Sequence, residues 1–245
     1  LLEWLTKEFI ESGWSLKHLH RLIVNGTTYQ QGTALNEHNA NIDPDNRLLW
    51  RRRPLRLESE ILRDTMLSVS GTLNLTMFGP SFKPPIPSEA MQARNEKNPY
   101  PKNAKDTSET RRRSIYMFHK RVVQYPLMQA FDAPDAQSSC GRRMNTTVAP
   151  QALALLNDPF VRLRAKELAQ RVETQAGGDV EAQVRHLFQL CLSREPNPGE
   201  VTDATTFLVA QTEARQQRTE KDPATAALTD FCQSLFGLNE FIYID

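Results

Sequence analysis

Apolar residues recur every three or four positions over most of this chain, and the stops between the runs define its elements. Leu1, Leu2, Leu5, Phe9 and Ile10 trace one helical stripe, which Ser12-Gly13 ends. Ser15 then caps a second helix carrying Leu16, Leu19, Leu22 and Ile23, so the pair reads as a hairpin closed by Asn25-Gly26. Residues 27–42 are mostly polar and read as loop. Asp43-Pro44 has the form of an N-cap followed by a first-turn proline. It predicts a short helix anchored by Leu48, Leu49 and Trp50, with Arg47, Arg51, Arg52 and Arg53 on its solvated or salt-bridged side. An amphipathic helix follows from about 58 to 70, stopped by Gly71.

The pattern then changes. Residues 79–110 form a proline-rich polar insertion holding Pro80, Pro84, Pro85, Pro87, Pro99 and Pro101, and a loop of that length in a compact domain is usually functional or disordered. Ser114-Ile115-Tyr116-Met117-Phe118 is a short β-branched and aromatic run that predicts a strand. From about 149 onward helix signals follow one another. There is an interruption at Asn157-Asp158-Pro159, a break at Gly177-Gly178-Asp179, and helix starts at Pro198 and at Asp222-Pro223. Met66, Phe207, Phe231 and Phe236 fall on the predicted core. The expected fold class is therefore mainly α, a multi-helix domain with a small β element near 114–118 and a long Pro-rich loop. It is expected as a single domain over 1–245, divided into an N-terminal helical part (1–78), the insertion (79–110), a central segment (111–157) and a C-terminal helical part (158–245).

Composition narrows the chemistry mainly by exclusion. Lysine and arginine number 30 against 29 acids, so no global field favours nucleic acid or an anionic membrane surface. No apolar run approaches the roughly 20 residues of a membrane span. Cys140, Cys191 and Cys232 contain no CxxC pair; Cys191 and Cys232 read as small buried hydrophobes and Cys140 has polar neighbours. The five histidines, His18 and His20 among them, have no metal-ligand spacing, so no metal is expected. Haem-attachment, phosphate-loop, HExxH and GxSxG motifs are also missing from the sequence. Locally the picture differs: between Arg94 and Arg121 nine basic residues face three acidic ones.

Candidate chemistry concentrates between Arg111 and Asn157. Alternation along a strand would send Arg111 and Arg113 to one face and Arg112 to the other. Arg142 and Arg143 follow a loop holding Asp132 and Asp135, and Thr146 or Thr147 is placed to cap the helix containing Pro150. Arginine forks beside a helix start make a pocket for sulfate, phosphate or carboxylate, so Arg111, Arg112, Arg113, Arg142, Arg143, Thr146 and Thr147 are the ligand-binding candidates. The favoured structural alternative has the two aspartates neutralised by those same arginines, pinning a long loop. A catalytic reading would use Asp132 with His119 or Asp135 as acid and base, or Cys140 as a thiolate activated by Arg142 and Arg143.

Four stretches of the chain carry a family resemblance: RRRSIYMFHKR, FDAPDAQSSCGRRMNTTVAPQALALLNDPFV, LSREPNPGEV and the terminal SLFGLNEFIYID. They resemble a planctomycete domain of unknown function that follows cytochrome c-like modules in large secreted proteins, and the opening and the DPDNRLLWRRR region look like the same domain's beginning. The resemblance implies an extracytoplasmic fragment of a larger protein, with cytochrome-like and uncharacterised modules N-terminal to it as partners. Haem would then belong to a missing module and not to this one. The family has no established catalytic residues to carry over. Three readings follow: a binding or assembly module recognising anionic polysaccharide or a partner domain, an enzyme acting on polysaccharide through its Asp and His residues, and a purely structural scaffold.

Overall fold

The computed structural model describes residues 1–87, 104–121 and 123–244; Pro99, Pro101 and the rest of the insertion's middle lie outside them. The described chain divides into two compact units, one formed by residues 1–55 with 243–245 and the other by 56–242.

The first unit holds three helices, α1 (Leu2–Glu11), α2 (Leu16–Val24) and α3 (Glu37–Ile42). Gly13 takes a positive φ of 70° at the turn of the hairpin, a conformation that a residue without Cβ adopts at little cost. Ser15 accepts the His18 amide at 3.2 Å as the sequence predicts, and His18 Nε2 reaches Glu8 Oε1 at 2.8 Å to tie α2 to α1. The predicted helix over 44–53 is absent. Asp43 Oδ1 and Oδ2 instead accept the amides of Arg47 and Leu48 at 3.0 and 2.7 Å, while Trp50 Nε1 donates to the Asp43 carbonyl at 2.9 Å. A carboxylate that satisfies amides four and five residues on folds the segment into a turn, and Asn46 and Leu49 take positive φ to allow it. None of the apolar side chains of residues 1–55 is buried.

The second unit opens on β1 (Leu55–Arg56), where the chain crosses between units, and α4 (Ser59–Val69), which buries Leu62, Met66 and Leu67. A short helix, α5 (Pro126–Ala130), precedes the C-terminal series: α6 (Ala149–Asn157), α7 (Pro159–Ala176), α8 (Val180–Leu192), α9 (Pro198–Gln217), α10 (Pro223–Phe236) and α11 (Asn239–Ile242). α5, α7, α9 and α10 begin at a proline, and Asp158, Asp179, Asn197 and Asp222 accept first-turn amides of α7, α8, α9 and α10. α7 and α9 pack against α10, enclosing Leu168, Val172, Leu228 and Leu235. Fully burying such a side chain is worth about 1.5–3 kcal/mol. Cys232 is buried here, and burial pushes its thiol well above the ordinary range and that of Cys191 up to about 12.

The chain is mainly α, as the sequence predicts, with one small β element among the described residues. That element pairs β1 with β2 (Tyr243–Ile244). Residues 114–118 are not the predicted strand. Glu109–Arg111 and Ser114–Tyr116 form single 3-10 turns, and Met117 makes only an isolated bridge with Phe82. The reason lies in Arg63 of α4, which holds the carbonyls of Thr110 and Arg112 just before this run.

Candidate functional site

The triple arginine does not form one cationic face. Arg111 lies on the first 3-10 turn and grips Asp106 Oδ2 through Nε and Nη2 at 3.0 and 2.6 Å, with Glu167 at 3.0 Å. Arg112 is only 2% exposed. Its guanidinium donates to the carbonyls of Thr76, Phe78 and Pro80 and stacks 4.3 Å over the Tyr116 ring. Two arginines far away in sequence join this interior. Arg63 of α4 reaches the carbonyls of Thr110 and Arg112 at 2.6 and 3.1 Å, and Arg164 of α7 reaches Asp106 at 2.5 Å and Thr72 at 3.1 Å. The guanidinium groups of Arg63 and Arg164 both lie against the Phe160 ring, 5.1 and 5.3 Å from its centre. Burial acts against the Asp106 carboxylate, yet the hydrogen bonds from Arg111 and Arg164 hold its pKa below the usual range. Arg111 and Arg112 are thus engaged internally.

Asp132 is also engaged, though not by the arginines beside it in sequence. Buried Arg56 donates to Asp132 Oδ2 at 2.8 Å and to the carbonyls of Phe131 and Thr146. Thr146 donates to the same carboxylate through its amide at 2.8 Å and its hydroxyl at 2.9 Å. Burial raises the Asp132 pKa, but these hydrogen bonds outweigh it and leave it lowered. The result is a clasp across residues 132–146, with Asp132 held at a positive φ of 57°. Thr146 is therefore not the predicted helix cap. Val148 occupies that position, and its amide donates to Gln151 Oε1 at 3.3 Å. Thr147 is likewise not the cap, and it has a partner of its own. Among the described residues no arginine pairs with Asp135, which accepts the Gln137 amide at 3.1 Å. Cys140 is exposed and its thiol faces the Arg142 carbonyl at 3.2 Å, and the Arg142 residue is exposed too.

Three predicted residues do converge. Arg113, His119 and Arg143 line an open bowl of about 460 Å³, together with Glu58, Glu60 and Asp64 from the start of α4. Arg143 chelates Glu60 through Nη1 and Nη2 at 2.6 and 3.0 Å and approaches Glu58 at 3.4 Å. Burial opposes the Glu60 charge, but Arg143 outweighs it and the Glu60 pKa is lowered. Asp64 accepts the Ser114 amide at 2.8 Å and its hydroxyl at 2.6 Å; burial nevertheless raises its pKa. Arg113 leaves its buried Nε without a partner, and His119 is exposed at the edge. Asp132, Asp135 and Cys140 do not line the bowl. The acids were missed in the sequence because they read as the polar face of a helix; Glu60 and Asp64, four apart and therefore on one face, were the available signal.

The bowl combines paired charges, the exposed His119 imidazole and the apolar side chains of Ile61 and Ile115. Among the described residues no group of three His, Cys, Asp or Glu side chains is placed to hold a metal ion. No helix of the described residues is long and apolar enough to cross a membrane. A family model described as PSD1, Protein of unknown function (DUF1553), matches residues 1–208. No curated protein and no solved structure matches the chain significantly.

Proposed function

Because the chain belongs to this DUF1553 family, for which no function is described, its role has to be argued from its own side chains. We propose that it is a recognition module of a larger extracytoplasmic protein and that the bowl takes a polyhydroxylated, uncharged saccharide. The observation that carries this reading is the bowl's balance of charge: Glu58, Glu60 and Asp64 stand against Arg113 and Arg143. A sulfated or carboxylated glycan would meet three carboxylates there, whereas sugar hydroxyls donate to carboxylates and accept from guanidinium and imidazole groups. The same balance argues against the anionic polysaccharide expected from the arginine runs, since Arg111 and Arg112 already have partners inside the protein. The cytochrome-like neighbours, and any haem they hold, belong to this proposal as partners and not to the bowl.

A second reading is favoured by one observation. The Asp64 carboxyl, its pKa raised by burial, shares the bowl with the imidazole of His119, a pairing suited to general acid and base work on the same saccharide. Calorimetric titration with neutral and sulfated oligosaccharides tests both. Saturable binding of a neutral oligosaccharide, weakened at least tenfold by Arg113→Ala or His119→Ala, is the expected outcome. Preference for the sulfated ligand with steep salt dependence would overturn it, and reducing-end release during the titration would favour the acid-base reading.

A further inference from the structure

Residues 43–53 of the first unit fold around two buried polar side chains, Asp43 and Asn46. Asp43 takes the amides of Arg47 and Leu48 on its carboxylate, and its carbonyl accepts from the Asn46 amide at 3.1 Å and from Trp50 Nε1 at 2.9 Å. Asn46 Nδ2 donates to the Arg51 carbonyl at 2.7 Å, and the Arg52 amide donates to the Gly32 carbonyl at 3.0 Å. The turn is thus fixed at both ends. What it displays is apolar: Leu48 is 77% exposed and Leu49 55% exposed, and Leu49 takes a positive φ of 56°. Glycine or asparagine adopts that conformation at less cost, and polar residues are the rule in exposed turns. Neither local conformation nor hydration favours these two leucines, which points to an outside surface that takes them up.

The charges around the leucines give that surface its chemistry. Arg47 precedes them and Arg51, Arg52 and Arg53 follow, and no carboxylate among the described residues forms an ion pair with any of the four. Arg51 lies over the Trp50 ring at 5.0 Å and Arg52 over the Tyr29 ring at 5.4 Å, while Arg53 donates to the Asp45 carbonyl. Four cations flanking an apolar pair complement a surface on which phosphates lie directly over hydrocarbon. We propose that this turn docks the protein on an anionic phospholipid bilayer, with Leu48 and Leu49 entering the boundary between headgroups and acyl chains and the arginines meeting the phosphates. The attachment is peripheral and needs no spanning helix. None of residues 43–53 lines the bowl, so the surface stands apart from the saccharide reading.

Sedimentation of the full chain with lipid vesicles tests the proposal. Vesicles of equal parts phosphatidylcholine and phosphatidylglycerol are expected to bind it at least tenfold tighter than vesicles of phosphatidylcholine alone. Leu49→Gly removes an exposed side chain and eases the positive φ, so vesicle binding should fall at least fivefold while the melting temperature holds or rises. Leu48→Ser should weaken binding to a similar degree. Arg47→Gln combined with Arg53→Gln should reduce the preference for anionic vesicles. Glycerol phosphate in free solution should not displace the protein, since it offers no hydrocarbon. Equal binding to the two vesicle types, no binding to either, or displacement by glycerol phosphate would overturn the proposal. So would Leu49→Gly and Leu48→Ser variants that bind undiminished, or that both melt early, which would make the leucines structural. Binding to polyglutamate as tight as to anionic vesicles would assign the turn to an acidic protein instead.

Discussion

The two units hold their chains by different means. In residues 56–242 leucine, valine and phenylalanine side chains are fully enclosed, and arginines Arg63, Arg112 and Arg164 are enclosed with them. In residues 1–55 the buried side chains are Asp43 and Asn46, while Trp4, Trp14 and Leu16 are 52%, 67% and 60% exposed. One unit is stabilised by removing apolar area from water; the other rests on caps and local turns, such as the carboxylate of Asp43 on the amides of Arg47 and Leu48. The difference teaches where electrostatics decides structure here. In the first unit a carboxylate shapes a few residues of its own loop. In the second, arginines tie together segments about 50 to 90 residues apart, as Arg63 does to Ser114 and Arg56 to Thr146.

Breaking that second kind of tie should cost most. Arg164→Ala removes the fully buried partner of Asp106 and Glu167, leaving part-exposed Arg111 beside them, and is expected to destabilise by about 3–5 kcal/mol in urea unfolding. A loss under about 1 kcal/mol would mean that the arginine interior is incidental. Leu168→Ala, at a fully enclosed position of α7, should cost about 2–5 kcal/mol. The matching change in the first unit, Trp4→Ala, should stay within about 0.5 kcal/mol. Comparable losses at the two positions would erase the distinction between the units.

The Asp132 clasp sharpens the comparison by pH. Its pKa is lowered in the folded state, so its contribution is complete above the unfolded value of about 3.9 and is lost as pH falls through the folded value. Asp132→Asn should therefore cost about 1–3 kcal/mol at neutral pH and progressively less in acid. Unfolding curves for the variant and the parent at pH 7 and pH 3 check the sign. A loss that does not shrink in acid would show that the clasp acts through shape and not through charge.

Helices were legible where a capping side chain precedes a long apolar repeat, and α3 (Glu37–Ile42), capped by Asn36 but polar, falls in the stretch that reads as loop. Ser15, Asp158, Asp179 and Asp222 sit before helical runs and do cap them. Asp43-Pro44 carries the same signal and fails, because there the carboxylate finds amides farther along and closes a turn. The Ser114–Phe118 run fails for a different reason. Its β-branched and aromatic residues suit a strand, but the carbonyls of Thr110 and Arg112 are held by Arg63, about fifty residues away. The bowl shows the same limit. Arg113, His119 and Arg143 stand out by residue type, whereas Glu60 becomes their neighbour only through a contact spanning 83 positions, which no local pattern encodes.

Arg111 and Arg112 serve the interior, while the proposed recognition falls to the bowl that Arg113 lines. Backbone amide shifts recorded by NMR during titration with a neutral oligosaccharide test this most directly. The account predicts perturbations that saturate together at Glu60, Asp64, Ser114 and His119, with Thr110, Arg111 and the α1–α2 hairpin unmoved. Saturating shifts centred on the hairpin, or on Arg111 with a sulfated ligand in place of the neutral one, would contradict it.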